Sequence, residues 1–298
     1  MLAATKEELE ALANVLNATG DYRVLRRLVP KVHFANPDGA ETRNGLYIDL
    51  ETTGLDSTRD EIIEIAMVPF RYGLDGRVFD VGEPFQAFRQ PSKPIPPEIT
   101  ALTGINDGMV AGKAIDTAEV ATFAAPAALV LAHHAAFDRK FAERFSDVFK
   151  TKAWACSMSQ IDWQAAGFEG TKLAYLAAGA GFFYDRHRAV QDCHAAIALL
   201  AMPLPNGALP LSQLLEQARR ATVRIWAEHS PFELKDQLKA RGYRWNADAT
   251  QAPRAWYIDV DEEAHQAEIA YLAKEIYQRE VSPLTRRVTA YDRFSDRV

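Results

Sequence analysis

The 298-residue sequence holds only two cysteines, Cys156 and Cys193. Two thiols cannot build a disulfide framework, and their scarcity fits a reducing compartment such as the cytoplasm. Nowhere does the chain reach the roughly 20 consecutive apolar residues that a membrane-spanning helix needs, so no membrane partner is expected. The opening stretch MLAATKEELEALANVL carries acids where a secretory leader carries bases and an apolar run, so export is not expected. No P-loop signature occurs, which removes support for nucleotide hydrolysis of that type. An excess of basic residues is missing too: 34 Lys and Arg stand against 40 Asp and Glu, a formal net charge of −6. Bulk charge therefore does not mark a nucleic-acid binder, and such binding has to come from a local surface or from metal ions. Repeats and low-complexity tracts are absent. Hydrophobic residues at 48% and charged residues at 25% give an ordinary globular balance. At roughly 150 residues each, the length corresponds to about two domains.

What is present begins with a helix over residues 5–18. Thr5 offers an N-cap with Glu8 three residues on, and Leu9, Leu12, Val15 and Leu16 share one face. A second short helix is expected over Tyr22–Leu28, ended by Pro30, and His33–Asn44 reads as a polar linker. Residues 1–43 thus form an N-terminal helical extension and linker. Leu46–Leu50 is a compact apolar strand, and Glu61–Arg71 and Gly82–Arg89 extend a sheet around a turn at Gly73, Asp75 and Gly76. Leu129–Ala132 and Lys152–Cys156 are further short strands. Helices are expected over Pro97–Leu102, Ala114–Ala124, Asp138–Phe149, Ser157–Ala166, Lys172–Ala178 and Ala189–Met202. Strands first and helices interleaved later define an α/β domain with a mixed sheet over residues 44–203. After the break PLPNGALP comes a helix (Leu211–Ala221), then strand, helix, two strands and helix. These cover Val223–Glu228, Pro231–Arg241, Tyr243–Asn246, Ala255–Val260 and Glu262–Tyr277. Residues 204–298 therefore read as a linker helix and a small α+β module.

Three acidic motifs carry the chemistry. Asp49 and Glu51 lie two apart on a strand, so both carboxylates point to one sheet face. They repel unless cations or protons neutralise them. A lone D-x-E suits an exposed edge strand, but Tyr47, Ile48 and Leu50 flank this one and TTGL follows, which puts the pair at a buried strand's end. The second motif is HHAAFD, closing on Asp138 directly after the apolar ALVLA. Taken alone, Asp138 reads as a helix N-cap. The third is HRAVQD, with His187 in a loop and Asp192 five residues later near the start of an Ala-rich helix; capping and a surface histidine are the plain alternative. Cys156, Cys193 and His194 lack metal-ligand spacing, and Cys193 reads as core.

In that order, D-x-E-T-T-G-L, H-x-A-x-F-D and H-R-A-x-x-D resemble the DEDDh family of 3′–5′ exonucleases, which includes the proofreading epsilon subunit of bacterial DNA polymerase III. The resemblance covers residues 44 to 202. It implies a ribonuclease-H-like mixed sheet flanked by helices, with two divalent cations held by Asp49, Glu51, Asp138 and Asp192, and His187 as general base. Hydrolysing a phosphodiester puts more charge on an anionic centre and needs an activated water. Two cations about 3.5–4 Å apart meet both needs. Mg²⁺ prefers oxygen ligands, which suits four carboxylates, and Mn²⁺ can substitute. Histidine, with an ordinary pKa near 6.5, can take the water's proton at neutral pH. The same resemblance gives Thr52, Thr53 and Gly54 backbone contacts to the terminal nucleotide and makes Leu55 a wedge against its base. Leu102 and Thr103, in ITALTGI, line the nucleotide pocket or else pack in a loop. Phe137 and His134 belong to the same pocket; the family usually has Asn where His134 stands, which affects a substrate contact and not the metal.

From Lys235 to Trp256 five bases (Lys235, Lys239, Arg241, Arg244, Arg254) stand against two acids (Asp236, Asp248). Trp245 and Trp256 interleave with them. Cations beside exposed aromatics suit a single-strand grip by Lys235, Lys239, Arg244, Trp245, Arg254 and Trp256. The alternative is that the aromatics build the core of a small sheet. The pattern PFELKDQLKARGYRWN…RAWYIDV is similar to small modules of DNA-processing enzymes, including the HARP domain of annealing helicases. In the N-terminal extension, Arg23, Arg26 and Arg27 could meet DNA, although a packing or dimer helix is the preferred reading.

The expectation is a metal-dependent 3′–5′ exonuclease acting on single-stranded or 3′-ended nucleic acid, DNA favoured by resemblance, and releasing nucleoside 5′-monophosphates. A folded C-terminal module, unlike a polymerase-binding tail, favours a stand-alone repair or defence nuclease over a polymerase partner. RNA trimming, proofreading and a non-catalytic sensor are the rivals. A sensor has no need of all four acids and His187.

Overall fold

The computed structural model describes residues 4–247 and 252–298, and Asp248 lies outside the described residues. Helix α1 (Lys6–Ala18) opens with the expected capping box, Thr5 and Glu8 bonding reciprocally. Its apolar stripe does not enter a core: Leu9, Leu12 and Val15 are all exposed, and only Ala13 is buried. The helix expected over Tyr22–Leu28 is absent. The chain runs extended there, and β1 (Arg26–Arg27) pairs in parallel with Phe182 and Phe183. That pairing spans about 155 residues, and no local pattern announces it. Side chains reinforce it: the Arg23 guanidinium donates to the Ala178 and Gly179 carbonyls, Arg26 to Glu10 and Arg27 to Asp185.

The central sheet grows from β2 (Thr42–Thr52) and β3 (Ile62–Gly73), an antiparallel pair. β4 (Val78–Val81) and β5 (Phe85–Phe88) both pair antiparallel with β3. After α2 (Pro97–Thr103), α3 (Asp107–Val110) and α4 (Thr117–Ala124), β6 (Leu129–Ala132) joins β2 in parallel. Helix α5 (Ala135–Phe145) leads through a 3₁₀ turn to β7 (Ala153–Cys156), parallel to β6. Compared with the expected Asp138–Phe149, α5 starts one turn early and gives way to 3₁₀ at its end. The helix expected over Ser157–Ala166 is replaced by turns, because side chains there serve the backbone. Trp163 Nε1 donates to the Ser157 carbonyl at 2.7 Å, and Gln160 Oε1 accepts from the Cys156 N–H at 2.8 Å. Then follow α6 (Leu173–Gly179), β8 (Phe182–Phe183, the partner of β1) and α7 (Ala189–Ala201). The order β4-β3-β2-β6-β7, antiparallel on one side and parallel on the other, is the ribonuclease-H-like mixed sheet.

Alternation along β2 fills two cores. Tyr47, with Ala66 and Val68 of β3, packs under α7 through Cys193, Ala196 and Leu200. Leu46, Ile48 and Leu50 face the other way, toward Phe141, Phe149 and Trp154.

Beyond α8 (Pro210–Arg219), the smaller module comprises β9 (Thr222–Ala227), α9 (Lys235–Ala240), β10 (Arg244–Trp245), β11 (Trp256–Asp261) and α10 (His265–Tyr271). A π-helical turn prolongs α10 to Tyr277, and β12 (Thr285–Val288), not anticipated from the sequence, completes an antiparallel sheet of order β10-β11-β9-β12. The segment after β12 then returns to the first domain. The Trp154 N–H donates to the Ala290 carbonyl at 2.9 Å. Arg139 donates to the carbonyls of Ala290, Tyr291 and Arg293, and Glu143 accepts from Ser295 Oγ and Arg297. The small module is therefore fastened at both ends. Among the described residues, no helix is long and apolar enough to cross a membrane.

Candidate active site

The parallel strands β2 and β6 end on the same edge of the sheet, where open α/β sheets place ligands. Asp49 and Glu51 occupy the last turns of the β2 pleat on the face beneath α7, opposite Ala66 and Glu64 in the ladder. Helix α7 starts at Ala189 and lowers Asp192 onto that face. Carboxylate oxygens of Asp49, Glu51 and Asp192 lie within 4.8 Å of one another. Asp138 stands outside that triplet, in the first turn of α5 and 3% exposed. Its charge is felt at both Asp49 and Glu51, and its carboxylate accepts from the Leu50 N–H.

Burial and mutual repulsion distort every acid in the cluster. Asp49 is pushed well above the usual carboxylate range, by burial first and then by Asp192, Asp138, Glu51 and Glu64. Burial, with Asp192 next, raises Glu51 to about 8. Asp138 reaches about 8, through burial. Asp192 is also raised by burial, although two donors oppose the shift: the Tyr184 hydroxyl at 2.8 Å and the Arg188 N–H at 3.1 Å. Such a set demands positive charge. Four hard oxygen donors fit a divalent cation of the magnesium or manganese kind.

His187 lies in the loop between β8 and α7, half-buried, with a left-handed φ of 56°. It is close enough to Asp192 to lower that carboxyl's pKa. His133, just past the end of β6, is different in kind. Nδ1 bonds Ser157 Oγ at 2.9 Å and Nε2 meets the Thr171 carbonyl at 2.7 Å, while Tyr47 bonds the same Ser157 hydroxyl at 2.6 Å. Burial pushes His133 down to about 4, so it is a neutral strut holding the strand ends together.

The turn after β2 is built for close quarters. Thr52 Oγ1 donates to the Gly54 carbonyl at 2.6 Å, and Thr53 Oγ1 accepts from the Glu61 N–H at 3.0 Å. A Cβ on Gly54 would stand 2.5 Å from Asp60 Oδ2, so any side chain here requires the Asp60 carboxylate to move. Leu55 projects into solvent at 86% exposure and Leu102 at 55%. Thr103 is buried, and its hydroxyl is engaged within the α2 terminus, donating to the Ile99 carbonyl and accepting from the Ile105 N–H. His134 is exposed and stacks on Phe137, ring centroids 6.0 Å apart.

The six residues grouped as a grip in the C-terminal module are not brought together. Arg244 lies on one face of the small sheet, beside Tyr257. Trp245 and Trp256 meet edge to face on the other side, where Trp256 packs into the core; Lys235 and Lys239 sit on α9, and Arg254 is exposed in the loop before β11.

Two site residues escaped the sequence reading. Glu64 is fully buried beside the acids, with Oε1 held by Gln86 and Oε2 without a hydrogen-bond partner. A charge inside the apolar run IIEIAMV was the available signal. Tyr184, which donates to Asp192, carried no signal, because nothing in FFYD marks the tyrosine as facing an acid eight residues on.

A mixed sheet with buried carboxylates gathered at its parallel-strand ends defines a metal-dependent hydrolase of the nuclease class. The RNase T model, described as exonuclease, matches residues 46–200, more than half of the chain, and the chain belongs to this exonuclease family. Among curated relatives it is 31% identical over 156 residues to a PolC-type DNA polymerase III from Caldanaerobacter subterraneus subsp. tengcongensis, covering 50% of this chain and 11% of that one. To the DNA polymerase III epsilon subunit of Treponema pallidum it is 26% identical over 186 residues, 59% of this chain and 83% of the relative. The chain thus spans only about a tenth of the PolC-type proteins it matches. Among solved structures, the zinc-bound complex of Escherichia coli exonuclease I with single-stranded DNA shares the fold. Its TM-score is 0.50 at 16% identity, covering 74% of this chain and 63% of that one.

Proposed function

We propose that the protein is a stand-alone 3′–5′ exonuclease that trims single-stranded DNA from its 3′ end and releases nucleoside 5′-monophosphates, in repair or defence. The observation that carries this reading is the convergence of Asp49, Glu51 and Asp192 from β2 and α7, with Asp138 close enough to act on Asp49 and His187 on Asp192. Asp49, Glu51, Asp138 and Asp192 would hold two Mg²⁺ ions, or Mn²⁺, which when bound supply charge neutralisation and acidify water. His187 takes the water's proton at its imidazole. Tyr184 and the Arg188 N–H fix both oxygens of Asp192. The backbone of Thr52–Gly54 holds the terminal nucleotide while Leu55 and Leu102 press on its base.

Residues 1–43, 44–203 and 204–298 are extension, nuclease domain and added module. Two buried, unpaired cysteines suit a cytoplasmic setting. Membership of the exonuclease family supports the chemistry, and the single-stranded DNA in the structural relative favours DNA over RNA.

The test is a time course on 5′-labelled single-stranded DNA and matched RNA with Mg²⁺, Mn²⁺ or EDTA. A metal-dependent ladder shortening from the 3′ end, faster on DNA, is the expected result. Faster trimming of RNA makes the protein an exoribonuclease. Intact binding with no cleavage of either strand makes it a sensor.

A further inference from the structure

The two faces of the C-terminal sheet are chemically unlike. Strand alternation turns Val223, Ile225 and Ala227 of β9, with Ile258 and Val260 of β11, into the module's core with Leu238, Leu272 and Ile276. The opposite face carries Arg224 and Trp226 of β9, Tyr257 and Asp259 of β11 and Arg244 of β10. They are cross-strand partners: Arg224 faces Asp259, and Tyr257 faces both Trp226 and Arg244. Among the described residues, the module's helical segments pack on the core side and not over this face, although Arg224 and Trp226 are buried there. The face looks instead across a cleft of about 430 Å³ to the nuclease domain, which contributes Ala136, Lys140, Ser159 and Gln160.

The cleft's chemistry is specific. Lys140, Arg220, Arg224, Arg244 and Arg293 line it against three aspartates, Asp259, Asp261 and Asp296. Arg224 is held by Asp259 through two bonds of 2.7 and 2.9 Å and lies 4.5 Å from the Tyr257 ring centre. Arg244 lies 5.0 Å from the same ring and touches Asp259 at 3.1 Å. Two guanidinium groups thus pack over one phenol ring and share one carboxylate, leaving a net positive charge among them. Arginine planes and aromatic rings stack on bases, and cations follow phosphates. The cleft is also well placed. Ala136 is two residues from His134 and two from Asp138, so the cleft and the acid cluster flank one helix N-terminus. The bonds from Arg139 and Glu143 to residues 290–297 hold the walls at their spacing, so the cleft is formed before anything enters.

We infer that this cleft holds the single strand upstream of the end being cut, with Arg244, Arg220 and Lys140 on phosphates and the Arg224–Tyr257 stack under a base. The inference rests on the exonuclease reading and adds the track that feeds it. It also replaces the grip read from the sequence, since of those six residues only Arg244 lines the cleft.

The test uses the full chain with Arg220→Ala and Arg244→Ala combined. Both side chains are about half exposed or more, at 49% and 63%, which leaves the fold undisturbed. Fluorescence anisotropy in EDTA measures binding to oligothymidylates of 4 and 20 nucleotides between 50 and 200 mM salt. The expected result is roughly tenfold or greater weakening on the 20-mer, a smaller effect on the 4-mer, and a salt slope reduced by about 0.7 for each cation removed. Unchanged 20-mer affinity and slope overturn the inference. So does competition by polyglutamate at the same concentrations as the 20-mer, which makes the cleft a dock for acidic protein. Failure of the exonuclease reading looks different: the wild type binds the 20-mer through the cleft but never shortens it in Mg²⁺.

Discussion

Arg139 directly follows Asp138 on α5, yet the two side chains serve different parts of the molecule. Asp138 turns into the acid cluster, whereas Arg139, fully buried, donates to three carbonyls between residues 290 and 293. One helix therefore positions an acid of the cluster and anchors the end of the C-terminal module.

Asp138→Asn keeps the size of the side chain and removes its charge. Cleavage should fall by at least about a hundredfold, the scale of losing one electrostatic stabiliser. The circular dichroism melt should show a folded protein. Activity within a few-fold of wild type would remove Asp138 from the metal site.

Arg139→Ala should unfold the protein more easily. The substitution strips donors from three carbonyls and leaves Glu143 to Arg297 and Ser295. Breaking a buried pair of this kind costs about 3–5 kcal/mol, about 5–8 degrees in Tm for a chain of this length. Limited proteolysis near residue 290 should accelerate as well. An unaltered melt and digestion pattern would mean that the clamp contributes nothing.

Stability should fall with rising pH when metal is absent and lose that dependence when metal is bound. In EDTA, Glu51 and Asp138 titrate near 8 when folded, against about 4 when unfolded. The folded state then binds more protons through that window, so stability falls as pH rises from about 4 to 8. Mg²⁺ binds the ionised carboxylates and removes the loss. The rise in Tm on adding Mg²⁺ should be small at pH 5.5 and large at pH 8. Equal rises at both values would show that the acids are already ionised without metal.

Tyr184→Phe deletes only the hydroxyl that bonds Asp192 at 2.8 Å. Losing that orienting contact should weaken Mg²⁺ binding about ten- to a hundredfold. Global stability should drop by only about 1 kcal/mol. The readout is the midpoint of the Mg²⁺-induced thermal shift; an unmoved midpoint would leave Tyr184 a packing residue.

The candidate site was legible because the chemistry proposed for it confines it to few residue types at strand ends and helix starts. Asp49, Glu51, Asp138, His187 and Asp192 could all be read in order, and the mixed sheet followed from apolar runs such as LYIDL and ALVLA. What failed was long-range. Arg26 and Arg27 pair with a segment whose existence no local pattern reveals, so a helix was expected where a strand lies. Ser157–Ala166 has helical spacing, but Trp163 and Gln160 spend their polar atoms on the backbone and hold it in turns. The basic residues of the C-terminal module were grouped by sequence proximity, whereas a sheet sorts them by parity. Arg244 and Trp245 are neighbours and face opposite sides.

The return of residues 290–297 to α5 also sets an order of events in synthesis. Arg139 leaves the ribosome about 150 residues before the carbonyls that satisfy it, and the chain is made at roughly 5–20 residues per second. For roughly 8–30 seconds the helix bearing Asp138 holds Arg139 against Glu143 alone, without the carbonyls of residues 290–293. Its final packing waits on residues 290–297, so the nuclease domain is completed only after the small module has been made.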